Sequence, residues 1–466
     1  MKKLFVLFIG IVMFLSSNAQ KQAEGISPEM LGKIKQSYKN TTQDRALRNA
    51  ISANPIDKLV QNLDNANKYD TYFSNRVKTR GISDQRQSGR CWMFTGFNVM
   101  RSEMIAKYDL GEFNFSHNYL FFYDQLEKAN LFLQLVINHK SEPLDSKSNE
   151  WLMKNVIGDG GQFTGISDLV MKYGLVPSSV QPETYNSENT NKISNLITLK
   201  LKEYALEIRE GQQNKQKQEW FDNKKVEMLS TIYRMLVLAY GEPITEFNYT
   251  LRNAQGKAIS SANYTPKSFY DNFIGKDLNK TYIMLMNDPS RPFYKLYEIE
   301  YDRHVIDGNN WRYINLPIED IKKIAISSIK DSTMMYFSCD VGKFYNRDKG
   351  LLDVNNFDYG SLLGTTFSMD KKQRIITGAS GSSHAMTLCG VDLDSENNAK
   401  KWLVENSWGA SAGYQGNLII TDEWFNEYMF RLVVNKKYVP ESILKILDEK
   451  PTLLPPWDPM FAFDVD

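Results

Sequence analysis

Four residues of this chain have types and spacing suited to covalent chemistry: Gln85, Cys91, His384 and Asn406. Cys91 follows a turn-forming Ser88-Gly89. It opens a run in which Met93, Phe94, Phe97, Met100 and Met104 recur at three- and four-residue spacing. That periodicity predicts an amphipathic helix beginning near the cysteine. A thiol at a helix N-terminus sits at the positive end of the backbone dipole, which lowers its pKa and favours the nucleophilic thiolate. Gln85, a little upstream, offers an amide N–H for a developing oxyanion. The competing reading of Cys91 is a buried helical cysteine with no chemistry, because free Cys is among the most buried residue types.

Partners near the C-terminus favour the chemical reading. His384 opens the strand-like run Ala385-Met386-Thr387-Leu388-Cys389-Gly390-Val391, a polar turn covers 394–399, and the chain returns through Trp402-Leu403-Val404-Glu405-Asn406. Two strands joined by a short polar loop read as an antiparallel hairpin. His384 and Asn406 then come close to opposite each other, within a residue or three of register. An amide opposite an imidazole fixes its tautomer and leaves the other ring nitrogen for a thiol, the arrangement of an activated nucleophile. The other histidines have plainer readings: His117 beside a helix cap, His139 in a solvated loop and His304 on the surface. No H-E-x-x-H or metal-ligand cluster occurs, so neither a metal nor a cofactor is expected.

The elements that must position these residues fall in a simple order. Polar helix is expected over 24–70, further helices at 118–133 and 162–173, and a helical hairpin or hook within 185–240 whose polar turn is 211–218. From about Tyr282 the pattern turns to strands, strongly so after Met334. Helices first and strands last predict an α+β fold. The 466 residues, 42% hydrophobic and 24% charged, are ordinary for a globular protein, and Lys+Arg 56 against Asp+Glu 55 excludes the basic excess of a nucleic-acid binder.

Met1-Lys2-Lys3, an apolar run over 4–15 and small residues at Ser17 and Ala19 have the three-part pattern of a secretory signal peptide over 1–19. That apolar run is shorter than the roughly 20 residues needed to span a bilayer. The mature chain is therefore expected to span 20–466, exported to a periplasm or outside the cell, with no membrane span. An exported chain with 3 cysteines leaves at least one thiol free.

The assembled residues resemble the papain-type cysteine peptidases, which use Cys, His and Asn in this chain order. Two departures stand out. Ser88 replaces the family's second cysteine, and the interval from Cys91 to His384 is about twice the ~130–150 residues of papain and its relatives. Both point to the bleomycin hydrolase and aminopeptidase C branch. The segments that resemble it include Ser88-Gly89-Arg90-Cys91-Trp92, Asp159-Gly160-Gly161-Gln162, Phe337-Ser338-Cys339-Asp340-Val341-Gly342-Lys343, His384-Ala385-Met386-Thr387 and Glu405-Asn406-Ser407-Trp408-Gly409. Thr421-Asp422-Glu423-Trp424-Phe425 and Pro456-Trp457-Asp458-Pro459-Met460 extend the likeness.

The resemblance implies a papain-like two-lobed fold, a helical lobe against an antiparallel β lobe, with a large helical insertion at about 185–300. It implies Cys91 as nucleophile, His384 as general base and acid, Asn406 as the orienting residue and Gln85 at the oxyanion hole. Trp408 would shield the His–Asn bond, and Gly160 and Gly161 would line the cleft for peptide substrates. It further implies a homohexameric cage and a C-terminal arm, about 452–466, whose terminal carboxylate on Asp466 would hold a substrate's α-amino group. The expected activity is that of a cysteine aminopeptidase working through a thioester. Phe461, Phe463 and two acids at the terminus depart from the branch's small-residue ends, and the signal peptide departs from its cytosolic members. The alternatives are an oligopeptidase or endopeptidase with an unblocked cleft, and a catalytically silent binding ring on the same fold.

Overall fold

A computed structural model describes residues 25–65 and 68–461; the expected signal segment 1–19 and Asp466 lie outside the described residues. The chain divides into two units. The smaller, up to Gln61 together with Asp358–Thr365, carries helices Pro28–Ser37 and Thr42–Ala53, the second closed by a Thr41–Asp44 capping box. Neither helix buries a residue.

The larger unit holds every residue discussed below. Its helical part is built on Cys91–Tyr108, His117–Asn138 and Phe163–Tyr173. Phe163–Tyr173 stops at Gly174, whose φ of +77° is a backbone state that suits glycine. Helices Asn191–Gln213 and Gln218–Tyr240 form the expected hairpin. Ile197, Leu201, Tyr204 and Ile208 on one arm, with Met228, Ile232 and Leu236 on the other, are buried in the same core as the Cys91 helix. A two-stranded β-hairpin, Phe247–Arg252 with Ala258–Tyr264, follows, which the helical periodicity of this region did not indicate.

The sheet part contains 12 strands among the described residues. Its centre runs Tyr282–Met286, Met429–Asn435, Met335–Cys339, His384–Leu393, Ala399–Glu405 and Asn417–Thr421 in spatial order. Neighbours along this run are antiparallel. Nearly all of these strands lie late in the chain, so the architecture is α+β as the element order predicted; the exception is the two-residue strand Asn75–Arg76, which pairs with the His384 strand. A second core, centred on Phe337, Val391, Trp402 and Phe425, belongs to the sheet, while the helical core also takes in strand residues such as Tyr282, Tyr336 and Val433.

The Cys91 helix departs from the amphipathic expectation. Every residue from Trp92 to Ser102 is buried. A helix apolar on one face would leave the other in water, whereas this one runs between the helical core and the His384 strand and is covered on all sides.

Candidate active site

Segment 83–88 reaches the site by pairing with the chain just after Asn406. The Gln85 N–H donates to Ser407 O at 2.8 Å, the Gly409 N–H donates to Ser83 O at 3.1 Å, and Asp84 bridges to Trp408. Gln85 Oε1 accepts from Ser407 Oγ at 2.6 Å, and Nε2 donates to Ser88 O at 2.5 Å. An amide nitrogen has two hydrogens, so one remains for another acceptor. Ser88, where the resembling family carries a cysteine, donates to Gln85 O at 2.6 Å and accepts from Arg90 Nε at 3.0 Å, shaping the turn that leads to Cys91.

His384 pairs with Cys339 on the neighbouring strand, and Asn406 follows the end of Ala399–Glu405. Thr387 faces Glu405 and Leu393 faces Ala399, so the turn falls where the polar run placed it. His384 Nε2 lies 2.8 Å from Asn406 Oδ1. The same oxygen accepts the Ser407 N–H at 2.8 Å, which identifies it as the amide's acceptor atom. His384 must therefore carry its proton on Nε2, leaving the Nδ1 lone pair bare. The Trp408 ring stacks on the imidazole at a centroid distance of 4.7 Å and 29°, covering this bond. Burial pushes the His384 pKa down to about 4, opposed by the Asn406 hydrogen bond, so the neutral base form is favoured.

Cys91 is half-buried and is the first residue of its helix. No side chain caps the helix start, so no capping group screens the positive end of the dipole at Cys91. Cys339 and Cys389 are buried strand thiols, and burial raises the pKa of both.

Loop 158–161 hangs on the residue after the cysteine. Trp92 Nε1 donates to Asp159 O at 2.8 Å, and the Asp159 carboxylate accepts the Gly89 N–H at 2.6 Å. Lys128 Nζ donates to Gly158 O at 3.0 Å and to Gly160 O at 2.6 Å, and pairs with Asp124 at 2.9 Å. A Cβ on Gly161 would meet His304 Nε2 at 2.7 Å and Trp92 Cε2 at 2.8 Å. Packing against Trp92 and His304 thus requires glycine at 161.

His304 is not a surface residue. It is 5% exposed, its Nδ1 lies 2.5 Å from Asp124 Oδ1, and its ring meets Trp92 edge-on at 4.7 Å. Burial, then Lys128, lowers its pKa. His139 is half-buried, between Glu142 at 2.7 Å and Tyr301 at 3.2 Å. At the start of its helix Ser116 makes the cap, while His117 is buried and stacks on Phe94 at 3.6 Å. All three histidines find partners far along the chain, so their local sequence looked polar and exposed. Asp124 and Lys128 were missed for the same reason; no local spacing marked them.

Gly160, Gly161, Gln162, His304, Tyr301 and Phe461 line a cavity of about 140 Å³, and none of Gln85, Cys91, His384 and Asn406 is among its lining residues. Among the described residues no group of three or more His, Cys, Asp or Glu side chains is placed to hold a metal ion.

Hydrogen bonds join Gln85, Ser407, Asn406 and His384, the last on the strand against which the Cys91 helix packs, and the sequence matches the Peptidase C1-like family over residues 25–461. The chain belongs to the Peptidase C1-like family. Aminopeptidase C of Lactobacillus delbrueckii subsp. lactis is 35% identical over 423 residues, 90% of this chain and 94% of the relative. Human bleomycin hydrolase is 36% identical over 401 residues, covering 84% and 88%. The crystal structure of PepW from Lactobacillus rhamnosis superposes with a TM-score of 0.90 at 36% identity, covering 94% of this chain and 99% of that one. This Peptidase C1-like chain thus falls in the bleomycin hydrolase and aminopeptidase C branch, as its motifs implied.

Proposed function

We propose that this chain is an exported cysteine aminopeptidase that removes N-terminal residues from peptides. The observation that carries the reading is the His384 Nε2–Asn406 Oδ1 bond of 2.8 Å under Trp408, on the strand against which the Cys91 helix packs. Cys91 Sγ attacks the carbonyl carbon of the first residue, and its proton passes to His384 Nδ1. The oxyanion takes N–H bonds from Gln85 Nε2 and the Cys91 backbone. Collapse breaks the C–N bond, the imidazolium protonates the leaving amine, and a thioester remains. Water, deprotonated by the same Nδ1, hydrolyses the thioester and restores the thiol.

Three observations support the exopeptidase register and the setting. The names of the relatives are aminopeptidase C and bleomycin hydrolase. Thr452–Leu454 adds in parallel to Lys295–Ile299, Arg291 pairs with Asp458 at 3.0 Å, and Phe461 is buried over Arg431 and lines the same cavity as Gly161. Asp466 is proposed to take the substrate's α-ammonium, as the resemblance implies. Leu199, Leu206 and Val226 stay exposed on the helical hairpin, which supports a homohexamer built through that surface. Export rests on the N-terminal pattern.

Cys91→Ala is expected to abolish fluorophore release from aminoacyl substrates while circular dichroism stays unchanged; full activity would sink the assignment. Efficient cleavage of N-terminally blocked peptides would instead favour an endopeptidase with an open cleft. N-terminal sequencing of the secreted protein checks export: a mature start at Gln20 is expected.

A further inference from the structure

Arg101 lies in the third turn of the helix that begins at Cys91, yet its guanidinium reaches three other parts of the chain. Its Nη2 donates to Glu405 Oε1 at 2.6 Å and to Gly81 O at 2.8 Å. Its Nη1 donates to Asn114 Oδ1 at 2.9 Å and approaches the Arg80 and Phe113 carbonyls at 3.3 and 3.4 Å. Glu405 is the residue immediately before Asn406, and Gly81 lies on the short segment that leads to Gln85. One side chain, rooted in the Cys91 helix, thus touches the strand end that delivers Asn406 and the segment that delivers Gln85.

Both partners are buried, Arg101 at 1% and Glu405 at 0% side-chain exposure. The contact uses one carboxylate oxygen. Among the described residues Arg101 Nε and Glu405 Oε2 have no hydrogen-bond partner. Stability alone accounts poorly for such a pair, because buried charges whose hydrogen-bonding capacity is only partly met gain little over an apolar pair of the same shape. What the planar fork does supply is fixed relative geometry among four backbone segments.

We propose that Arg101, through Glu405, is a positioning residue for the reaction: it fixes the register of Cys91 against Asn406 and Gln85. This rests on the reading of Cys91, His384 and Asn406 as the reacting set. Displacement of such groups by about 1 Å can cost on the order of 100-fold in rate. The pair touches no substrate, so its removal acts on kcat more than on KM.

The test is the double variant Arg101→Met/Glu405→Leu, which removes both buried charges together, beside Arg101→Lys and Glu405→Gln. Three quantities are read for each: thermal unfolding, kcat and KM on an aminoacyl fluorogenic substrate, and the pH profile of Cys91 alkylation by iodoacetamide. The double variant is expected to fold, to lose about 10- to 100-fold in kcat with KM nearly unchanged, and to shift its alkylation profile towards the ordinary thiol near pH ~8.5. Arg101→Lys keeps the charge and is expected to recover part of kcat. If the double variant does not fold, the isosteric Glu405→Gln reads the same profile, with a several-fold loss expected. A folded variant with wild-type kcat and wild-type alkylation profile overturns the positioning role while leaving the assigned chemistry intact. A wild type whose Cys91 reacts as an ordinary thiol overturns the chemistry, and the positioning role with it.

Discussion

Burial holds three imidazoles, those of His117, His304 and His384, below their ordinary pKa of 6.5. The charged neighbours differ. His117 faces Arg90 and Arg101, His304 lies between Lys128 and Asp124, and for His384 the neutral Asn406 opposes the burial. In each case the folded protein binds the proton less readily than the unfolded chain. The resulting stabilisation is complete above pH 6.5 and is lost as pH falls through the folded pKa, about 4 for His384. For His384 alone the window is worth on the order of 3 kcal/mol. Urea midpoints are therefore expected to fall steadily from pH 7 to pH 4, and His384→Gln, which keeps an amide in place of the ring, should flatten part of that slope. An unchanged slope in this variant would contradict the burial argument. The same lowered value keeps His384 in its base form in mildly acidic solution, so the acid limb of kcat/KM is expected well below 6.5.

At the scale of elements, the loop 158–161 and the Cys91 helix behave as one part. Gln125 and Lys128 hold the Gly158 carbonyl, Trp92 holds that of Asp159, and Lys128 holds that of Gly160. Consecutive carbonyls are turned into the protein by side chains from two helices, and Gly161 fits the notch between Trp92 and His304. A methyl group there must push a ring that abuts the residue next to Cys91. Gly161→Ala is expected to cost about 1–3 kcal/mol in stability, the usual range for overpacking, and to lower kcat/KM at least tenfold. Gly158→Ala, where an added Cβ has open space, is the control and should leave both near wild type. Equal effects in the two variants, measured by urea unfolding and fluorogenic assay, would refute the packing account. Helix ends and the hairpin turn were legible because their signals are local, such as Gly174 after Phe163–Tyr173 and the polar run at 394–399. The β-hairpin at 247–264 was not, since short strands inside a helical region carry weak periodicity.

Across the whole molecule the C-terminal segment travels from the sheet edge to the cavity lined by Gly161 and His304. Strand Thr452–Leu454, the Arg291–Asp458 pair and the buried Met460 and Phe461 fix its course. If the residues beyond Phe461 restrict the cleft to chain ends, then a protein ending at Phe461 keeps its anchoring and loses the restriction. Digestion of a defined peptide by this truncated form, followed by mass spectrometry, is expected to give internal cuts where the full chain gives stepwise N-terminal loss. Stepwise loss from both forms would remove the arm from the explanation of register.

Residue order and spacing were enough to propose Cys91, His384, Asn406 and Gln85 as a set, because residue type, a helix start and the symmetry of a hairpin are local signals. They also gave the succession of helices and strands, which depends on local periodicity. The Arg101–Glu405 pair, the Asp124–Lys128–His304 cluster and the all-round burial of the Cys91 helix required the folded chain. Each of these joins residues remote in sequence, and a charged or polar side chain looks solvent-facing until the fold shows the partner that makes its burial affordable.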